Sequence, residues 1–143
     1  MKPNFSALKT PDECASALWG WIPSHIKLTF ASAIVCGLAA HLYMFTNKFT
    51  NHDDVGSLFG NSYGAASGRW LRPFVLPLSG GTSMPWLVGL MSLLCLAVVA
   101  CLTVSLLRIR RPLGCIAASA ILTTFPVVLS TFTYMYSAFA YFF

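Results

Sequence analysis

Carboxylates are scarce in this chain, and charge of either sign is scarce with them. Of its 143 residues only 4 are Asp or Glu and 9 are Lys or Arg, and charged residues make up 9%. A soluble domain carries about 25% charged residues, so the composition excludes an ordinary soluble globular protein. Beyond Asp54 there is no carboxylate, and every remaining charge is basic. Cysteine offers little chemistry. Of the 5 cysteines, Cys36, Cys95, Cys101 and Cys115 fall inside apolar runs and Cys14 lies in the amino-terminal tail, with no pair at metal-ligand spacing. They read as small buried apolar side chains, with neither a disulfide nor a zinc site expected.

What the chain has instead is apolar length. Hydrophobic residues make up 57% of it. Three runs are long enough to cross a bilayer: Leu28 to Phe45, Trp86 to Leu107, and Leu113 to about Tyr134. The second would extend about 33 Å as a helix, against a hydrocarbon core of ~30 Å. None of the three contains Asp, Glu, Lys or Arg. The expected fold is all-α and transmembrane, with three spanning helices belonging to one polytopic domain and no domain boundary inside residues 1–143. Gly37-Leu38-Ala39 before Ala40 fits a signal-cleavage pattern. The apolar stretch runs on through His41 to Phe45, however, and two more spans follow, so an uncleaved first helix is the reading.

The basic residues orient the spans. Lys2, Lys9 and Lys27 precede the first; Arg108, Arg110 and Arg111 lie in the short link between the second and third. The segment from Thr46 to Pro85 carries Lys48, Arg69 and Arg72. By the positive-inside rule the six mark the cytoplasmic side. The protein is then expected to be a multi-pass protein of the cell membrane with a cytoplasmic N-terminus and a long first extracytoplasmic loop. The net charge of +5 is a topology signal that also favours anionic lipid. The expected partner is the lipid bilayer, with no nucleic acid.

Local signals fill in the rest. Pro11-Asp12-Glu13 starts a helix over Cys14 to Trp21, with Trp19 and Trp21 at the inner interface. His41, the only imidazole in the three runs, reads as a packing residue with one hydrogen bond. Pro126 should kink the third helix. In the loop, Gly56, Gly60, Gly64 and Gly68 recur every four residues. That pattern suits either a smooth helical stripe or a glycine-loosened segment. Trp70, Leu71, Phe74, Val75 and Leu78 then recur at helical spacing, with Arg69 and Arg72 on another face. That describes a segment lying in the outer headgroup plane, where an arginine fork could meet a phosphate or serve only as an anchor.

Asp53 and Asp54 stand out against this background. They are the only carboxylates outside the tail, and they sit just past the first span. Carboxylates at a membrane boundary are functional candidates; a helix cap or a solvated loop start is the plainer role. Asn51-His52-Asp53-Asp54, followed by Ser67-Gly68-Arg69-Trp70 in the same outer loop, resembles the bacterial type II membrane glucosyltransferases associated with O-antigen glucosylation. More broadly it resembles the GT-C superfamily, which uses polyprenyl-phosphate-sugar donors. The Thr124-Phe125-Pro126 stretch and the aromatic run after it are also similar to the family's third helix. The resemblance covers about Phe45 to Phe143. Family members are several times longer, so the chain is expected to be the N-terminal part of a longer protein.

The resemblance implies an inverting transfer of glucose from a polyprenyl-phosphate-linked sugar donor to a glycan acceptor. Asp53 would act as base with Asp54 in support, Arg69 and Arg72 would meet the donor phosphate, and His52 and Trp70 would contact substrate. The two carboxylates, with His52, could instead hold a divalent ion. A second class of function is a non-catalytic multi-span protein, such as a lipid-sugar flippase or an assembly subunit, using the same glycines and arginines for packing and headgroup contact.

Overall fold

The computed structural model describes residues 10–47, 70, 74 and 84–134. The elements are α1 (Pro11–Trp21), α2 (Ser24–Thr46), α3 (Pro85–Leu106), α4 (Pro112–Thr124) and α5 (Pro126–Thr131). No strand occurs among the described residues. Three segments are long and apolar enough to cross a membrane: Ser24–Thr46, Pro85–Leu106 and Pro112–Thr131.

Local chemistry sets the helix ends. Thr10 and Glu13 form a reciprocal capping box: the Glu13 N–H donates to Thr10 Oγ1 and the Thr10 N–H to Glu13 Oε2, each at 3.3 Å. Two otherwise orphaned donors are thereby satisfied, and Pro11 follows at the first helical position, where its missing N–H costs nothing. Helix α1 stops because Ile22 precedes a proline and is held extended, at φ −71 and ψ 125. Helix α2 starts at once, with Pro23 as its cap. It therefore begins at Ser24 rather than Leu28 and takes in His25 and Lys27. A lysine in the first turn can still carry its ammonium to the membrane edge.

The third apolar run is divided. Pro126 has no N–H and crowds the residue before it. Phe125 is accordingly extended, at φ −58 and ψ 139, and α4 ends one residue earlier. The turn between α3 and α4 is equally specific. Arg108 adopts a left-handed conformation, φ 54. The Ile109 N–H reaches Val104 O at 3.0 Å and the Arg108 N–H reaches Ser105 O at 3.2 Å, the pair of bonds that closes a helix in a Schellman motif. Glycine usually fills that position; here an arginine does.

Helix α2 packs along both α3 and α4. Its buried residues, Thr29, Ala33, Gly37, His41 and Phe45, recur every four positions and form one ridge. Against α3 the fit alternates large with small. A Cβ on Gly37 would collide with the Leu93 side chain, and one on Gly89 would come within 2.6 Å of Phe45 Cε1. Each glycine is thus the seat for a large side chain of the facing helix, the close approach that membrane helices exploit. Ala33 meets Ala97 and Ala100 farther along. Against α4 the buried row is Cys115, Ser119 and Thr123. The opposite side of α3 carries Trp86, Leu90, Leu94, Val98, Leu102 and Leu106, all exposed.

Candidate functional site

The described contacts define two ends of the bundle. At one end the Cys101 thiol approaches Ile26 O at 3.7 Å, which places the start of α2 beside the close of α3 and gathers Lys27, Arg108, Arg110 and Arg111 there. At the other end Phe45, Val88 and Phe132 share one apolar cluster. The chain leaves this second end after Asn47 and returns to it at Met84. The segment with the acidic pair is therefore tethered at both ends to the face opposite the arginine turn.

The polar groups beneath that face are held tightly. His41 is fully buried. Its Nε2 lies 2.8 Å from Thr123 O, and because a carbonyl only accepts, Nε2 carries the proton. The carbonyl is available because the break at Phe125–Pro126 removes the regular helical N–H that would otherwise claim it. The ring sits 4.3 Å from the Phe132 ring and 6.0 Å from that of Phe45, which meet each other edge to face at 5.3 Å. His41 Nδ1 is buried and meets no hydrogen-bond donor among the described residues. The expected packing role with one hydrogen bond is what the structure shows. Asn47 closes the last turn of α2, its Nδ2 donating to Tyr43 O at 2.8 Å.

Farther down the same seam, Ser119 Oγ lies 3.0 Å from Thr29 O and 2.8 Å from Cys115 O. Thr123 Oγ1 donates to Ser119 O and Thr29 Oγ1 to His25 O, at 2.8 and 2.7 Å. The four-residue spacing of Thr29, Ala33, Gly37 and His41 is the sequence signal for this seam, and it lies hidden in a run that is apolar on every side. All 5 cysteines are free thiols, Cys115 buried and the others half-buried.

Of the residues singled out for chemistry, His52, Asp53, Asp54, Arg69 and Arg72 lie outside the described residues, as do Gly56, Gly60, Gly64 and Gly68. Trp70 is described and is 72% exposed; Phe74, four residues on in sequence, is likewise exposed. The structure thus provides the frame on which the candidate site hangs.

A family model described as glucosyl transferase GtrII matches residues 42–143. That is more than two thirds of the chain, from the last turn of α2 through both later spans, and it includes both loop motifs. No curated protein and no solved structure matches. The chain belongs to the GtrII glucosyl transferase family.

Proposed function

We propose, with membership of the GtrII glucosyl transferase family as the premise, that the segment between α2 and α3 carries the transfer site of a GT-C-type membrane enzyme. It would move glucose from a polyprenyl-phosphate donor to an extracytoplasmic glycan such as O-antigen. One observation carries the assignment. Within the matched residues 42–143, Asp53 and Asp54 are the only carboxylates. Asp53 follows Asn47 by six residues, a tether of at most about 20 Å from the end of the bundle where Phe45 and Phe132 pack together.

The chemistry needs what this segment can supply. An acceptor hydroxyl attacks the anomeric carbon as the bond from that carbon to the phosphate oxygen breaks. The hydroxyl proton passes to Asp53, and the phosphate departs on its lipid with the bonding electrons. A positioned base lowers the barrier to such a step, and Asp54 orients that base. Arg69, with Arg72 three residues on, neutralises the charge that grows on the leaving phosphate. His52 and Trp70 contact the sugars. The reaction lies on the extracytoplasmic side, with Lys27 and the Arg108–Arg111 turn in the cytoplasm.

The test is Asp53→Asn in the intact protein. The change is nearly isosteric and should leave membrane insertion unaltered while cutting transfer by roughly 10²–10⁴-fold, the scale of a lost acid–base group. Near-normal turnover in Asp53→Asn with loss in Asp54→Asn would exchange the two roles. Full activity in both single variants and in the double variant would end the catalytic reading of this loop.

A further inference from the structure

Helix α1 lies wholly outside the residues matched by the glucosyl transferase family, and it buries none of its residues. We propose that α1 rests on an anionic bilayer surface and docks the amino-terminal segment to lipid at the end of the bundle where Lys27 and Arg108–Arg111 gather.

The helix has two distinct sides. At 100° per residue, Cys14, Ala15, Leu18, Trp19 and Trp21 fall on one side, while Glu13, Ser16, Ala17 and Gly20 fall on the other, with Asp12 at the boundary beside Trp19. Among the described residues, most of the apolar side stays open. Leu18 is 47% exposed, and Trp19 and Trp21 are each 63% exposed. An amphipathic helix in this state needs a partner, and its connection to α2 indicates which one.

Only Ile22 and Pro23 separate α1 from α2, and both are extended, so α1 does not continue the axis of the span. The Lys27 ammonium stands 4.6 Å from the centroid of the Trp19 ring. This pins the indole beside the first turn of α2, level with a cation that must itself reach the membrane edge. That is the headgroup level, where an amphipathic helix buries its apolar face shallowly and tryptophan is favoured.

Charge selects the kind of lipid. Lys27, Arg108, Arg110 and Arg111 share this end, and the three arginines are exposed. Each basic residue close to an anionic leaflet adds to the attraction. The carboxylates at this end are Asp12 and Glu13. Both lie in the first turn of α1, at the far end of the helix from Trp19 and Trp21, and Glu13 is occupied by its capping box with Thr10.

The experiment uses the intact protein with its five cysteines replaced, reconstituted in liposomes containing phosphatidylglycerol. A nitroxide is attached singly through Ala15→Cys, Leu18→Cys, Ser16→Cys or Gly20→Cys. A Cβ at Gly20 meets nothing within 4 Å, and α1 buries nothing, so the bundle should tolerate each change. Labels at 15 and 18 should be severalfold more accessible to oxygen than to a water-soluble nickel complex, with the order reversed at 16 and 20. Equal nickel access at all four positions would overturn the proposal by placing the helix in water. Shielding of 15 and 18 from both reagents would also overturn it, since protein, a second copy included, would then cover that face. In phosphatidylcholine alone the contrast should shrink; an unchanged contrast would overturn the anionic preference.

Discussion

Two regions of the chain use their polar side chains in opposite ways. Inside the bundle, Thr29, His41, Ser92, Ser119 and Thr123 are all fully buried, and each is bonded to a backbone carbonyl. None of them carries a fixed charge. The segment between α2 and α3 has Asp53, Asp54, Arg69 and Arg72 instead, charges that the seams of the bundle do without. A neutral donor placed on a carbonyl is satisfied locally and contributes modestly to helix association. An ionised side chain inside hydrocarbon has no such cheap solution. The division teaches where chemistry can reside. The bundle uses its polar side chains to hold helices together, and on the proposed reading the acid–base and phosphate-binding groups belong to the segment between α2 and α3.

Several substitutions would break or sharpen that contrast. The largest structural effect should come from Gly89→Val. The new side chain meets the Phe45 ring, which has Val88, Leu93 and Phe132 around it, so the helices must separate at that point. A loss of about 1–3 kcal/mol is expected for overpacking of this kind, read as a shift in a denaturant titration in micelles. Stability within error of the parent would mean that the glycine seat is not a close contact. Gly37→Ala should cost less, because the atoms it meets are the mobile tip of Leu93.

His41→Ala removes the bond to Thr123 and strands a carbonyl that the proline break has already freed. About 1–2 kcal/mol should be lost, and His41→Gln, whose amide can still donate, should recover part of it. An alanine variant with full stability would show that the seam with α4 is held by packing alone. The smallest effect is expected at the arginine turn. Arg108→Gly relieves a left-handed residue at a cost of roughly 1–2 kcal/mol but gives up a cation at the C-terminus of α3, worth about 0.3–1 kcal/mol. A net gain between about 0 and 1.7 kcal/mol follows, and a clear destabilisation would show that the Arg108 charge is bound more strongly than a helix end can explain.

Much of the frame was legible in the sequence because its causes are local. Charge-free runs of sufficient length mark spans, Pro126 disturbs the third helix where it falls, and Pro11-Asp12-Glu13 marks a helix start. The apolar run begins at Leu28 because Lys27 marks its edge, whereas the extended Ile22–Pro23 pair starts the helix at Ser24. The ridge from Thr29 to Phe45 was not legible, since a helix that is apolar on every side has no polar face to point its neighbours out. Arg108 in a left-handed turn was hidden for a related reason: no glycine marks the spot. The loop motifs were legible as a family resemblance, and the match over residues 42–143 agrees with it. The roles given to Asp53, Asp54, Arg69 and Arg72 rest on that kinship and on their chemistry.

The most direct measurement reads turnover and unfolding on the same preparations of Asp53→Asn and His41→Ala. Glucosyl transfer should fall by roughly 10²–10⁴-fold in Asp53→Asn with its stability unchanged. His41→Ala should lose about 1–2 kcal/mol of stability while the folded fraction still transfers sugar. The opposite pattern, an active Asp53→Asn beside a folded but inactive His41→Ala, would contradict the division and move the chemistry into the bundle.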